Sequence, residues 1–305
     1  MTTAMISHPD SLLHVMDGKH PESPARITAI HEALAASGLI KQLSLYEAPA
    51  ATDTQLARVH SPDYIARIRQ LSPPAGLVRL DADTAMGPMT LSACLHASGA
   101  AILGVDLVMS GKAQRAFCCT RPPGHHAGRS HAAGFCIFNH VAVATAHALG
   151  QHKLDRVAIL DFDVHHGDGT EDIFRDNSHV MLCSTFQHPF YPHRGADTRS
   201  ANMINVPLPA GTNGPAFREV MEREIAPALA RFKPQLIMIS AGFDAHRDDP
   251  LAGLKLEAED YSWVTAFARK IADQHAQGRI VSVLEGGYAL PALAESAVAH
   301  VRGLL

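Results

Sequence analysis

Residues 157–170, VAILDFDVHHGDGT, constrain the fold more than any other stretch. The segment opens as a short apolar run of strand type and closes in acids and histidines. Side chains on a strand alternate faces with period two. That spacing puts Asp161, Asp163 and His165 on one face, with Phe162 and Val164 on the other. Carboxylates and an imidazole at the end of a buried strand repel one another and lose hydration unless something neutralises them. A divalent cation does so. Gly167 and Gly169 let the chain turn, and Asp168 returns a further carboxylate to the same neighbourhood. A solvated acidic loop is the plainer reading, but it fits poorly directly behind Val-Ala-Ile-Leu.

The surrounding sequence alternates strand and helix. Apolar strand runs fall at 116–120, 157–163, 180–185, 236–241 and 279–284, with helices at about 138–149, 170–176, 215–231 and 259–276 between them. Earlier come a short strand at 4–8 and a helix at 24–37, with Ser23 as its N-cap and Gly38 as its stop. A further helix over 64–70 follows His60-Ser61-Pro62-Asp63. A long helix rich in small residues, about 90–110, follows Asp81 and Asp83 and is expected to pack closely on a sheet. Such alternation predicts an α/β fold with a largely parallel sheet covered on both faces. No repeat, low-complexity segment or composition break divides the chain, so residues 1–305 are expected to form a single domain. His14, His20 and Glu22 lie in a turn-rich stretch that reads either as a site rim or as an ordinary capped loop.

The strand exits are more specific than the strands themselves. They are RPPGHHAG (121–128), DFDVHHGDG, STFQHPFYP (184–192), AGFDAHRDDP (241–250) and LEGGYAL (284–290). In open α/β sheets ligands bind outside the carboxyl ends of the strands. Exits that each carry His, Asp or Tyr describe one polar site at one edge.

Composition narrows what that site serves. Of 305 residues 47% are hydrophobic and 18% charged, which is globular, and the net charge of −4 gives no basic face for direct nucleic-acid binding. Five cysteines without a C-x-x-C spacing argue against a disulfide framework or a thiolate zinc site, and a reducing cytoplasmic compartment is expected. Cys118, Cys119, Cys136 and Cys183 read as buried thiols. The first residues, MTTAMISHPDS, lack a signal-peptide pattern, and no run reaches the roughly 18 apolar residues of a membrane span. The 20 histidines are unusual, but only their positions are informative.

Asp163, His165 and Asp244 are the expected metal ligands. Two carboxylates and one imidazole suit a divalent ion of zinc, iron or manganese type, and three protein ligands leave positions open for water and substrate. Such an ion acidifies water and polarises a carbonyl. His125 and His126, beside it, are a natural general base and general acid. Asp161 and Asp168 are placed to accept a hydrogen bond from each ring and set its tautomer. Glycines allow close backbone approach at Gly286 and Gly287, so the Tyr288 hydroxyl can donate to a developing oxyanion. Phe135 and Tyr191 read as walls of a narrow channel or as core aromatics.

In the order and spacing of RPPGHHAG, GFCIFN, LDFDVHHGDGT, AGFDAHRDDPLAG and LEGGYAL, together with HPESPARI near the N-terminus, the chain resembles the zinc-dependent histone deacetylase family. It is most similar to the class II-like bacterial members, which grade into acetylpolyamine amidohydrolases. The resemblance implies a three-layer arginase–deacetylase fold, with a central largely parallel sheet of about eight strands and helices on both faces. It implies one zinc on Asp163, His165 and Asp244, a dyad of His125 with Asp161 and His126 with Asp168, and Tyr288 as the oxyanion donor. Gly134, Phe135, Tyr191, Leu251 and Gly287 match positions along the acyl-lysine tunnel, and Asp83 matches a rim acid. Asp161, Asp163, His165, Ser184 and Thr185 match one site for a structural potassium or sodium ion, and Phe174, Asn177, Val180 and Asn202 a second. The substrate implied is an acetylated lysine or acetylated small amine, whose amide is hydrolysed. Hydroxamate sensitivity is implied too. Related bacterial enzymes use a long N-terminal loop in subunit contacts, so a homo-oligomer is compatible with the resemblance.

Rival readings stay open on sequence alone. Acetylpolyamine hydrolysis is the near alternative. Asp163-Val-His165 and Asp244-Ala-His246 are two D-x-H units, which suggests a binuclear arginase-like site with Asp248 as a bridging acid. A non-enzymatic acyl-lysine binding module with a structural metal predicts a missing dyad or tyrosine, and none is missing.

Overall fold

A computed structural model gives the fold and describes residues 2–305. Among these residues the strands are β1 (Thr3–Ser7), β2 (Leu43–Glu47), β3 (Val78–Arg79), β4 (Ala85–Met86), β5 (Arg115–Cys118), β6 (Val157–Asp161), β7 (Val180–Gln187), β8 (Met203–Leu208), β9 (Leu236–Ala241) and β10 (Ile280–Leu284). β3 and β4 pair antiparallel, apart from the rest. The others form one eight-stranded sheet in the order β2-β1-β5-β10-β9-β6-β7-β8, and every neighbouring pair runs parallel. This is the α/β architecture expected.

Parallel strands covered on both faces must be apolar on both faces. β6, β7, β9 and β10 are buried along their whole length. Period-two alternation then sorts their side chains between two cores: Leu160, Ile237, Ile239 and Phe117 face one, while Ile159, Met238, Val283 and Cys118 face the other. The helices are α1 (Ala25–Ala36), α2 (Asp53–Leu56), α3 (Pro62–Leu71), α4 (Thr90–Met109), α5 (His140–Gln151), α6 (Asp168–Phe174), α7 (Gly214–Val220), α8 (Ala226–Phe232), α9 (Ala258–His275) and α10 (Leu290–Leu304). α1, α9 and α10 close the first core, and α3, α4 and α5 the second. α7 and α8 join through a π-type turn at Met221–Ile225 into one rod.

Against the expectation that no run is apolar enough, α4 has the length and the mean hydropathy, 1.6, of a membrane span, yet 67% of that window is buried inside the fold. Its face of Ala, Gly, Ser and Cys lets it lie against β1, β5 and β10, which is the close packing its composition predicted.

Several sequence expectations need correction. α1 begins at Ala25 with Pro24 as N-cap and no side-chain cap, so Ser23 does not cap it. The 116–120 strand ends at Cys118 and the 157–163 strand at Asp161. Several elements gave no readable signal, among them β2, β8 and α10. β2 is an edge strand with half-exposed side chains. β8 carries Pro207, which a central strand does not tolerate but the opposite sheet edge does. α10 has Pro291 in its first turn, where a missing N–H is harmless.

Candidate active site

The strands with polar exits are β5, β10, β9, β6 and β7, which are consecutive in the sheet. Because all run parallel, their carboxyl ends lie along one edge, and the five exit loops meet there.

Beyond Asp161 the chain leaves the sheet in a turn built on its own acids. The Asp163 N–H donates to Asp161 Oδ1 at 3.1 Å and the His165 N–H to Asp163 Oδ1 at 2.9 Å. The turn delivers His165 Nδ1 to 3.1 Å from Asp163 Oδ1 and 3.2 Å from Asp244 Oδ2. Donor atoms of Asp163, His165 and Asp244 all lie within 4.8 Å of one another. Asp244 Oδ1 accepts from the Val164 N–H at 3.0 Å, but the buried Oδ2 has no hydrogen-bond partner. Burial, and next the Asp163 charge, push the Asp244 carboxyl up to about 7. Burial acts against the His165 cation, yet the facing Asp163 and Asp244 carboxylates outweigh it and raise the ring to about 10. An orphaned carboxylate oxygen beside two other convergent donors is what a divalent cation satisfies.

His125 and His126 lie alongside, ring centres 4.0 Å apart. His125 Nδ1 meets Asp161 Oδ2 at 3.0 Å, and His126 Nδ1 meets Asp168 Oδ1 at 2.8 Å. Their environments differ. Burial opposes charge on His125, but Asp163, Asp161 and Glu285 together raise it well above the usual range. Burial, and next the neighbouring His125, push His126 down to about 4.

These groups open into a cavity of about 260 Å³ lined by Asp83, Pro123, His125, His126, Gly134, Phe135, His165, Phe190, Tyr191, Leu251, Gly286 and Tyr288. Asp83, Gly134, Phe135, Tyr191, Leu251 and Tyr288, all named from the sequence, are thus brought together around one cavity. Gly287 does not line the cavity: its carbonyl turns away to accept from Arg26 Nε at 2.6 Å. Gly286 takes its place, because a Cβ there would lie 2.1 Å from Asp244 Oδ2 and 2.7 Å from Asp163 Oδ2. Gly287 has φ +121°, a backbone form open to glycine, and this swings Tyr288 back toward the site. Phe135 holds φ +69°, with its N–H donated to Thr84 Oγ1 at 3.0 Å.

Behind Tyr288 lies a charged layer of which sequence reasoning singled out only His14 and Glu22, as candidate rim residues. Glu22, fully buried, accepts from Arg121 Nε and Nη2, the latter at 2.6 Å, and from Arg26 Nη1 at 3.1 Å, with His14 Nε2 3.2 Å away. Arg26 also donates to the Glu285 carbonyl. The 14–22 stretch is therefore neither a simple capped loop nor only a rim: His14 and Glu22 are interior, and His20 packs edge-on against Phe135 at 4.6 Å. Glu285 accepts from the Gly124 and His125 N–H groups at 2.6 and 3.1 Å, and Asp249 from the Tyr288 N–H at 2.7 Å. HPESPARI and LEGGYAL carried Arg26, Glu22 and Glu285 in plain view, and their position beside motif residues was the available signal.

Of the residues expected at the first monovalent site, β6–β7 register sets Asp161 beside Ser184, with Thr185 next in β7. At the second, Phe174, Asn177, Val180 and Asn202 also converge. His246 does not join the metal group: its Nδ1 accepts from the Asp248 N–H at 3.2 Å, and the Asp248 side chain is exposed. The binuclear reading loses its second D-x-H unit on that geometry.

Two other His–Asp groups occur among the described residues, and neither is a ready metal site. His147 and His152 each set Nε2 2.7 Å from Asp106 Oδ1, but Arg58 lies 2.6 Å from His147 Nδ1 as a donor, which leaves Nε2 carrying the proton. The His8 and His96 rings stack 3.5 Å apart and 5° from parallel, so their in-plane lone pairs run side by side instead of converging.

Residues 20–304 match the family model described as the histone deacetylase domain. A histone deacetylase-like amidohydrolase of Pseudomonas aeruginosa is 40% identical over 88% of this chain and 72% of its own length. A probable deacetylase of Archaeoglobus fulgidus is 35% identical over 95% of this chain and 82% of its own. Among solved structures, the HDA15 HD domain superposes with a TM-score of 0.93 at 32% identity, covering 99% of this chain and 88% of that one.

Proposed function

The chain belongs to the histone deacetylase family, and from that premise we propose that it is a zinc-dependent amide hydrolase, acting as one catalytic domain, that removes acetyl or other short acyl groups from acetyl-lysine side chains or related acetylated amines. The observation that carries this reading is the convergence of Asp163, His165 and Asp244, with one Asp244 oxygen left without a hydrogen bond, beside an aromatic-walled cavity that His165 lines.

Zinc on Asp163, His165 and Asp244 supplies Lewis acidity toward the amide carbonyl and acidifies water. The residues around it divide the remaining work. His126, kept neutral by burial and donating Nδ1–H to Asp168, has Nε2 free to take the proton of the attacking water. His125, whose Nδ1–H is held by Asp161, delivers a proton to the leaving amine nitrogen as the C–N bond breaks. Two neighbouring groups whose pKa values are driven apart are the pattern for divided acid and base roles. Burial keeps the Tyr288 phenol protonated against the opposing pull of Arg26, so it remains a donor for the oxygen on which charge develops. Phe135 and Tyr191 flank the aliphatic stem of the substrate. The products are a carboxylate and a free amine.

The test is turnover by zinc-loaded protein on an acetyl-lysine peptide and on acetylated polyamines side by side, with a chelated sample as control. Metal-dependent release of free amine is expected. Folded, zinc-loaded protein that releases none from any of these substrates contradicts the reading.

A further inference from the structure

Asn202 immediately precedes β8, and its side-chain nitrogen lies 3.0 Å from each of the backbone carbonyl oxygens of Phe174, Asn177 and Val180. Phe174 ends α6, and the other two lie where the chain runs on into β7. Carbonyls gathered at a helix C-terminus concentrate negative partial charge. Two of them already accept a backbone N–H each, Asn177 N–H to Phe174 at 2.9 Å and Val180 N–H to Asn177 at 3.0 Å, and use their second lone pair on Asn202.

An amide carries only two N–H groups, so three equidistant acceptors exceed its directional capacity. The cage surrounds the positive end of the group much as it would surround a small cation. The orientation is fixed from the other side, where Ser200 Oγ donates to Asn202 Oδ1 at 2.6 Å. Turning the amide over would set Oδ1 against three carbonyl oxygens and leave Ser200 facing an NH2 group. The remaining member of the set, the Asn202 carbonyl, accepts from the Leu182 N–H at 2.9 Å.

We infer that the Asn202 amide occupies the carbonyl cage that the family resemblance assigns to a second monovalent cation, so that this chain closes the α6–β7 loop with its own side chain in place of an ion. The consequence reaches the site through α6. Its first residue is Asp168, the partner of His126, and its last is Phe174, so the amide ties the far end of that helix to β8. Any monovalent-cation dependence of the protein then comes from the cluster around Asp161 and Ser184 alone.

Rubidium serves as the probe. Crystals of the parent and of Asn202→Gly are soaked in rubidium chloride, and the anomalous scattering of rubidium is mapped. The parent is expected to show no rubidium among the carbonyls of Phe174, Asn177 and Val180, and Asn202→Gly to show one. In solution, at matched ionic strength, the thermal midpoint of Asn202→Gly should rise in potassium chloride over tetramethylammonium chloride by more than the parent's does. A variant that folds only in potassium is the same result in stronger form. Rubidium in the parent cage with the amide displaced overturns the inference. So does a folded variant that neither binds rubidium there nor gains potassium dependence, since Asn202 is then only a helix cap. If the variant fails to fold in any salt, the parent's map decides alone.

Discussion

The guanidinium of Arg26 lies 5.0 Å from the centre of the Tyr288 ring and donates to the carbonyl of Gly287, the residue just before it. One buried cation thus faces the ring and fixes the backbone that aims it, while Glu22, itself paired with Arg121, holds that cation in turn. Tyr288→Phe removes only the hydroxyl, so fold and metal content should be kept. Loss of one oxyanion donor typically costs on the order of 100- to 1000-fold in turnover, about 2.7–4 kcal/mol. Steady-state kinetics on the zinc-loaded variant should show that loss in kcat with KM altered much less. A kcat within about threefold of the parent returns Tyr288 to the core.

Glu22→Gln addresses the layer behind it. The variant leaves two buried guanidinium groups without their carboxylate, and breaking a buried ion pair by removing one partner costs about 3–5 kcal/mol. Urea unfolding of the variant should register a loss of that order. Arginine and histidine neighbours also set the pH sense. Burial works to raise the Glu22 carboxyl, but Arg121 and His14 hold it well below the usual range. Its contribution is therefore complete above the unfolded value and disappears as pH falls through the folded one. A loss below about 1 kcal/mol contradicts the pairing.

Several histidines are buried as neutral rings, and His300 is the cleanest. It bridges Thr265 Oγ1 at 2.6 Å and Ser282 Oγ at 2.8 Å, and burial pushes it down to about 3. The unfolded chain takes up a proton at this ring near pH 6.5 and the folded chain does not. Stability from His300 is thus full above that value and declines as pH falls toward 4. Asp244 and Glu285, raised by burial to about 7, act in the opposite sense, so the difference between two proteins is the useful quantity. Between pH 6 and 4 the stability of His300→Gln should fall less steeply than the parent's, by about 1.4 kcal/mol per pH unit. Equal slopes contradict a neutral buried ring.

The cavity makes a prediction about ligands. A hydroxamate on a linker of about five or six carbons, matched to the reach of an acyl-lysine stem, should inhibit by chelating the metal while its chain lies between Phe135 and Tyr191. Enzyme assays at rising inhibitor concentration read this directly. Metal-bound, active protein indifferent to such compounds argues against an aromatic-walled approach to the site.

Legibility in the sequence followed burial. The central strands were readable because both their faces are apolar, and their polar exits stood out by contrast. The sheet edges were not, since β2 is half exposed and β8 carries Pro207. The same contrast made Asp163, His165, Asp244 and the His125–His126 pair readable. Arg26 and Arg121 stayed hidden, and Glu22 was read only as a candidate rim residue, because charged residues in turn-rich stretches look solvated until tertiary packing buries them together. Asn202 was read for its place in a cation site. Its amide, which fills that place, is visible only when the three carbonyls are seen to converge.

The central claim is one zinc held by Asp163, His165 and Asp244, on which hydrolysis depends. Its most direct measurement is metal content and activity together, for the parent and for Asp244→Asn, as zinc is titrated back into chelated protein. In the parent, activity should rise with bound zinc and level off at one equivalent per chain. Asp244→Asn should stay folded, as judged by circular dichroism, yet retain neither zinc nor turnover. Stoichiometric zinc in that variant with the activity of the parent, or full activity of the parent without metal, contradicts the account.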